Sequence, residues 1–185
     1  MSYDLYLFSD AVRDETTGNA KATYEGIGKS QPDPRKEALK QKVAFALMAF
    51  DPRLEQFQFN HELLAQKKAI PLGEAKRKYR HVELNDRPPP EGEGIQITLF
   101  DDEYSIAVPY WHQGVKARDV FKRVWDYLNI MQAETGFPIY DGQFGRTLDL
   151  TKDFDQVVSF YADSVQRTRS VVANSHKRRP WWKFW

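Results

Sequence analysis

The chain has no cysteine among its 185 residues. That excludes disulfide staples, thiolate catalysis and cysteine-based zinc sites, and it fits a reducing compartment. No window approaches the roughly 20 apolar residues of a membrane-spanning helix. The opening "MSYDLYLFSD" carries an acid at Asp4 and no basic stretch, so a signal peptide is not expected. No glycine-rich phosphate loop follows the first apolar run, which argues against nucleotide-binding folds. No GxSxG elbow is present, and no internal repeat. The four histidines, His61, His81, His112 and His176, show no close ligand spacing such as HExxH, so no metal site and no cofactor are expected.

What is present suits one globular domain. Hydrophobic residues make up 41% and aromatics 14%, enough for a core rich in ring packing. The formal charge of +1 hides an asymmetry, because residues 176–185, "HKRRPWWKFW", hold four cations and no acidic side chain. The rest of the chain therefore stands at −3. A mildly acidic body argues against generic nucleic-acid binding.

Periodicity gives the elements. "YDLYLF" (3–8) alternates Tyr3, Leu5 and Leu7 against Tyr6 and Phe8, and apolar residues on both faces predict an interior strand. Residues 9–31 are polar and read as a mobile loop. Asp33 and Pro34 open a helix that carries Leu39, Val43, Leu47 and Phe50 on one stripe and ends before Pro52. "LEQFQFN" (54–60) and "RHVELN" (80–85) read as strands, with an ambiguous basic stretch over 61–80. "DRPPPEGEG" (86–94) reads as a second mobile loop, stiffened by its prolines. "IQITLF" (95–100) and "YSIAVPYW" (104–111) make a hairpin about the turn "DDE", with Pro109 at an edge or bulge. Residues 115–136 give the strongest helix signal, with Gly136 as its stop. "FPIYD" (137–141) and "RTLDL" (146–150) read as strands about "GQFG". A last helix starts near Thr151 and stops near Ser175.

Adjacent strands pair as hairpins while helices interrupt them. The expected fold is α+β: a mixed, mainly antiparallel sheet with about three helices packed on it, in a single domain over 1–175, followed by the basic aromatic tail 176–185.

Three places offer chemistry. In "PYWHQG", Tyr110, Trp111 and His112 sit where a strand gives way to a helix; the rings can wall a pocket and the imidazole is an acid–base group. The competing structural account has Trp111 packed under the helix and His112 capping a turn; with the imidazole expected near a surface strand end, His112→Ala should disturb stability little. In "IYDGQFGR", Asp141, Gln143 and Arg146 are presented by a glycine-rich turn, where a carboxylate and a guanidinium bind a polar ligand or each other. In the turn, Asp101, Asp102 and Glu103 are either a solvated patch or an attraction for a cationic partner.

The tail is the fourth candidate. Lys177, Arg178, Arg179 and Lys183 suit an anionic surface at about 1 kcal/mol each. Trp181, Trp182, Phe184 and Trp185 suit a membrane–water interface or a groove on the domain itself. The expected localisation is cytoplasmic with peripheral attachment at the inner membrane.

"MSYDLYLF" and "VPYWH…ARDVFKRVWDYLNIMQAETGFPIYDGQFGRTLDL" (108–150) resemble small uncharacterised bacterial proteins, some of which are similar to immunity proteins of toxin systems. The resemblance implies a non-enzymatic bacterial binding protein that occludes a toxin, with a protein partner and no catalytic residues. Two alternatives stand beside it: an enzyme whose site lies between PYWH (109–112) and YDGQFGR (140–146), and a peripheral membrane protein recruited by its tail.

Overall fold

A computed structural model describes residues 2–10, 32–88 and 90–177, with side chains described as far as residue 168. Most of the expected 9–31 loop and the tail beyond Lys177 lie outside the described residues.

Seven strands form one sheet: β1 (Ser2–Phe8), β2 (Glu55–Gln56), β3 (Val82–Asn85), β4 (Gln96–Leu99), β5 (Glu103–Pro109), β6 (Ile139–Asp141) and β7 (Arg146–Thr147). Their order is β2-β3-β4-β5-β1-β6-β7, and every pairing is antiparallel. The first strand of the chain is thus interior, between β5 and β6, as its two apolar faces predict. β5 is interior too. Pro109 ends it opposite Ser2, two residues past the last β4 pair at Ala107, where its missing N–H breaks no bond to β4. Both edge strands are two residues long, which leaves little edge for another chain to pair with.

Five helices are present, not about three: α1 (Pro34–Phe50), α2 (His61–Lys68), α3 (Leu72–Lys78), α4 (Gly114–Thr135) and α5 (Phe154–Lys177). The two additional ones come from the basic 61–80 stretch. Asn60 caps α2 by accepting from Leu63 N at 2.9 Å, and Ala69 in the left-handed region ends it. Neither helix has a long apolar stripe, because α2 buries no residue and α3 buries only Ala75. Hydrophobic periodicity therefore could not reveal them. The expected 54–60 strand shrinks to Glu55–Gln56; Phe57 N still donates to Glu83 O at 2.8 Å, but its ring is half-exposed.

The long helices α1, α4 and α5 cover one face of the sheet. Tyr3, Leu5 and Leu7 of β1, Ile97 and Leu99 of β4, and Tyr104, Ile106 and Val108 of β5 meet Val43 and Leu47 of α1, Phe121, Val124 and Leu128 of α4, and Val157 and Tyr161 of α5. Rings dominate where β1 meets the helices: Tyr3 stands edge-on to Phe121 at 5.7 Å and to Tyr161 at 6.1 Å. The opposite face carries alternate residues only. Asp4, Ala107, Gln96 and Asn85 form one row across it, and Tyr140, Tyr6, Ser105, Thr98 and Glu83 the next.

No helix among the described residues is long and apolar enough to cross a membrane.

Candidate functional site

At the end of β5 the chain turns sharply into α4, and the 86–94 loop lies against that corner. The loop is fixed there by polar contacts. Asp86 and Glu93 are both buried. Glu93 N donates to Asp86 Oδ2 at 2.9 Å, and Arg123 of α4 forms an ion pair with the same oxygen. Gly94 N donates to Arg87 O at 2.8 Å and closes the loop on itself. Gly94 has φ +69°, and a Cβ there would lie 2.4 Å from Cζ2 of Trp111. Only glycine both adopts this conformation and leaves room for the indole.

Trp111 and His112 converge on the loop's Glu93. Trp111 Nε1 donates to Glu93 O at 3.3 Å, and His112 Nε2 lies 2.9 Å from the same carbonyl. Lys116, one turn into α4, forms an ion pair with Glu93 Oε1. His112 is buried, not near the surface, and its backbone N–H donates to Tyr161 Oη at 3.3 Å. Burial lowers the imidazole pKa, against the opposing pull of the Glu93 carbonyl and carboxylate. Trp111 is 45% exposed although its ring is held. Between loop and corner lies an open cleft of about 480 Å³ lined by Glu93, Trp111, His112, Gln113 and Lys116 together with Pro90 and Gly92.

Asp141 and Arg146 do not belong to this cleft's lining. They face each other across β6 and β7, yet each has other partners. Asp141 is fully buried; it accepts from Tyr3 Oη, from Gln143 N at 2.7 Å and from Phe144 N at 3.2 Å. Its carboxylate thus organises the turn in which Gln143 is exposed. Arg146 makes a two-pronged pair with Asp153 at 2.8 Å for each prong and reaches Gln156 Oε1 at 2.9 Å, tying β7 to the start of α5. The expected Asp141–Arg146 pair is replaced by these two separate structural links. Tyr110 is also structural, its ring stacked on Tyr161 at 5.5 Å.

The acidic turn is engaged internally as well. Asp101 takes Lys40 at 2.9 Å on one oxygen and Arg80 on the other; Asp102 takes Ser9 at 2.9 Å and Lys36 at 2.5 Å. Burial raises the pKa of Glu103. Its "DDE" sequence suggests a solvated patch, but cations from α1 and from residue 80 meet its first two charges.

Sequence reasoning missed Glu93 and Lys116. A buried carboxylate inside a Pro–Gly loop leaves no periodic signal, and Lys116 reads as ordinary helix surface. Among the described residues no group of three His, Cys, Asp or Glu side chains is placed to hold a metal ion.

The chain matches no known family model, no curated protein and no solved structure at a significant level.

Proposed function

We propose that the chain is a non-enzymatic bacterial binding protein of the immunity type, which holds a cationic protein partner against the sheet face turned away from α1, α4 and α5. One observation carries the reading: that face presents Asp4, Glu83 and Glu103 and has no lysine or arginine on β1 or on β3 to β6. Tyr6 and Tyr140 add partly exposed rings beside the acids, each packed against the buried Phe8, at 5.7 Å and 6.2 Å. A flat acidic surface with aromatic anchors suits protein recognition, where charge steers the encounter and rings supply contact area. Edge-strand pairing contributes little, because both edges are short.

The enzyme reading has less support, since Asp141 and Arg146 do not line the cleft that holds His112 and are tied to other partners. Peripheral membrane attachment rests on the composition of the tail, whose residues past Lys177 lie outside the described ones. Cosedimentation with anionic vesicles, with and without residues 176–185, tests it. The test of the main reading is retention of bacterial proteins on the immobilised chain, compared with Asp4→Lys/Glu83→Lys. A basic protein held by the wild type, released by salt and lost on the charge reversal is the expected result. Equal retention on both columns overturns it.

A further inference from the structure

The geometry points to the Glu93–Trp111–His112 cleft as a binding site for an ammonium group. One carboxylate oxygen there, Glu93 Oε2, lacks a donor. A carbonyl oxygen only accepts, so the 2.9 Å contact with Glu93 O puts the hydrogen of neutral His112 on Nε2. That leaves a lone pair on Nδ1, which faces Glu93 Oε2 at 3.6 Å. Oε2 is itself buried without a hydrogen-bond partner, on a side chain only 10% exposed. A buried carboxylate oxygen that faces a lone pair and has no donor of its own is destabilising until a donor reaches it.

The chain itself shows what kind of donor fits. The ammonium of Lys116 sits on the other oxygen of the same carboxylate, at the end of a side chain that is 59% exposed. Such a side chain is readily displaced, so it occupies the cleft as an internal stand-in for an external ammonium. The indole of Trp111 forms a wall, fixed by its bond to Glu93 O and by Gly94 behind it. An indole face favours a cation. A ligand with N–H donors and positive charge thus answers the lone pairs and the ring together. The site does not rest on the sheet-face reading, since it uses none of Asp4, Glu83 or Glu103.

The experiment is an NMR titration of the full chain at pH 7.5, following the Trp111 indole N–H, assigned through Trp111→Phe. The probes are n-butylammonium, tetramethylammonium, spermidine and a blocked Gly-Lys-Gly peptide. n-Butylammonium should give a saturable shift, weakened about tenfold by Glu93→Gln, the loss expected for one charge-assisted hydrogen bond. Lys116→Ala, which removes the stand-in, should tighten binding several-fold. Tetramethylammonium has the charge but no N–H and should bind at least about tenfold more weakly. If spermidine binds more tightly than the peptide, the natural source is a free polyamine; the reverse order makes it a partner's lysine. The absence of a saturable shift overturns the proposal, as does unchanged affinity in Glu93→Gln. Should Glu93→Gln fail to fold, Lys116→Ala decides alone: affinity no tighter than wild type overturns it.

Discussion

The two ends of α1 meet ionic clusters of different character. At its start, Lys40 reaches Asp101 at 2.9 Å and Glu37 at 3.0 Å, and Arg80 joins the same two carboxylates. Two cations face two anions, and each Asp101 oxygen receives a donor. Past its end, Asp51 takes Tyr127 Oη at 2.5 Å and lies 3.4 Å from Arg123, which also pairs with Asp86. Here closure is incomplete: Asp86 Oδ1, Arg123 Nε and Glu93 Oε2 are buried without hydrogen-bond partners. The charges of the first cluster are all paired, although His81 Nδ1 and Tyr104 Oη, which feel Lys40 and Asp101, are also buried without hydrogen-bond partners; what sets the second apart is that its orphaned Glu93 lines a cleft, where something can bind.

The largest effect should come from breaking the complete end. Lys40 is fully buried, and Lys40→Ala leaves Asp101 and Glu37 short of a cation. A loss of about 3–5 kcal/mol is expected, as for a broken buried pair. Urea unfolding measures it. A loss below about 1 kcal/mol would make this cluster as dispensable as a surface pair.

Next is His112. Its burial and its bonds to Glu93 and Tyr161 predict a loss of about 2 kcal/mol in His112→Ala. The sequence supports the opposite expectation, because the position before Gln113–Gly114 looks like a surface turn. What buries the imidazole is a loop 19 residues earlier, a long-range contact without local trace. The same reason separates the legible from the illegible elsewhere. β1, α1 and α4 announce themselves because caps and apolar spacing are local: Asp33 accepts from Arg35 N at 2.8 Å, and Gly136 takes φ +70° at the end of α4. The turn carboxylates, Asp141 and Arg146 read correctly as polar residues in turns, but their partners come from distant or unexpected places. Tyr3 satisfies a carboxylate 138 residues away.

A smaller effect should appear on acidification. Burial alone would raise the pKa of Asp51, but hydrogen bonds from Arg53 and Tyr127 and the charge of Arg123 bring it down to about 2. A carboxyl whose folded pKa lies below its unfolded value stabilises the fold above the unfolded pKa. That contribution is lost as pH falls from about 4 to about 2, and amounts to about 2 kcal/mol. Tyr127→Phe removes one of the donors, so the folded pKa should rise and the acid-dependent part of the stability should shrink. Thermal unfolding of both forms between pH 5 and pH 2 measures the difference. Identical slopes would mean that Tyr127 does not hold the carboxylate in its ionised form.

The smallest effect on stability should come from Trp111, and that smallness is what sharpens the contrast between the two ends. The indole is 45% exposed, so its removal forfeits less buried apolar area than the removal of a core ring. The carbonyl it binds keeps His112 as a second donor. Trp111→Ala should therefore change unfolding free energy by less than about 1 kcal/mol, while an ordinary buried aromatic costs about 3–5 kcal/mol. Gly94→Ala separates fixing of the ring from its burial. Its Cβ would displace the indole and strain a φ of +69°, so it should cost about 1–2 kcal/mol, more than deleting the ring outright. Both are read from paired urea denaturation curves. If Trp111→Ala is the more destabilising of the two, the ring belongs to the core of the fold, and the open end of α1 is as structural as the closed one.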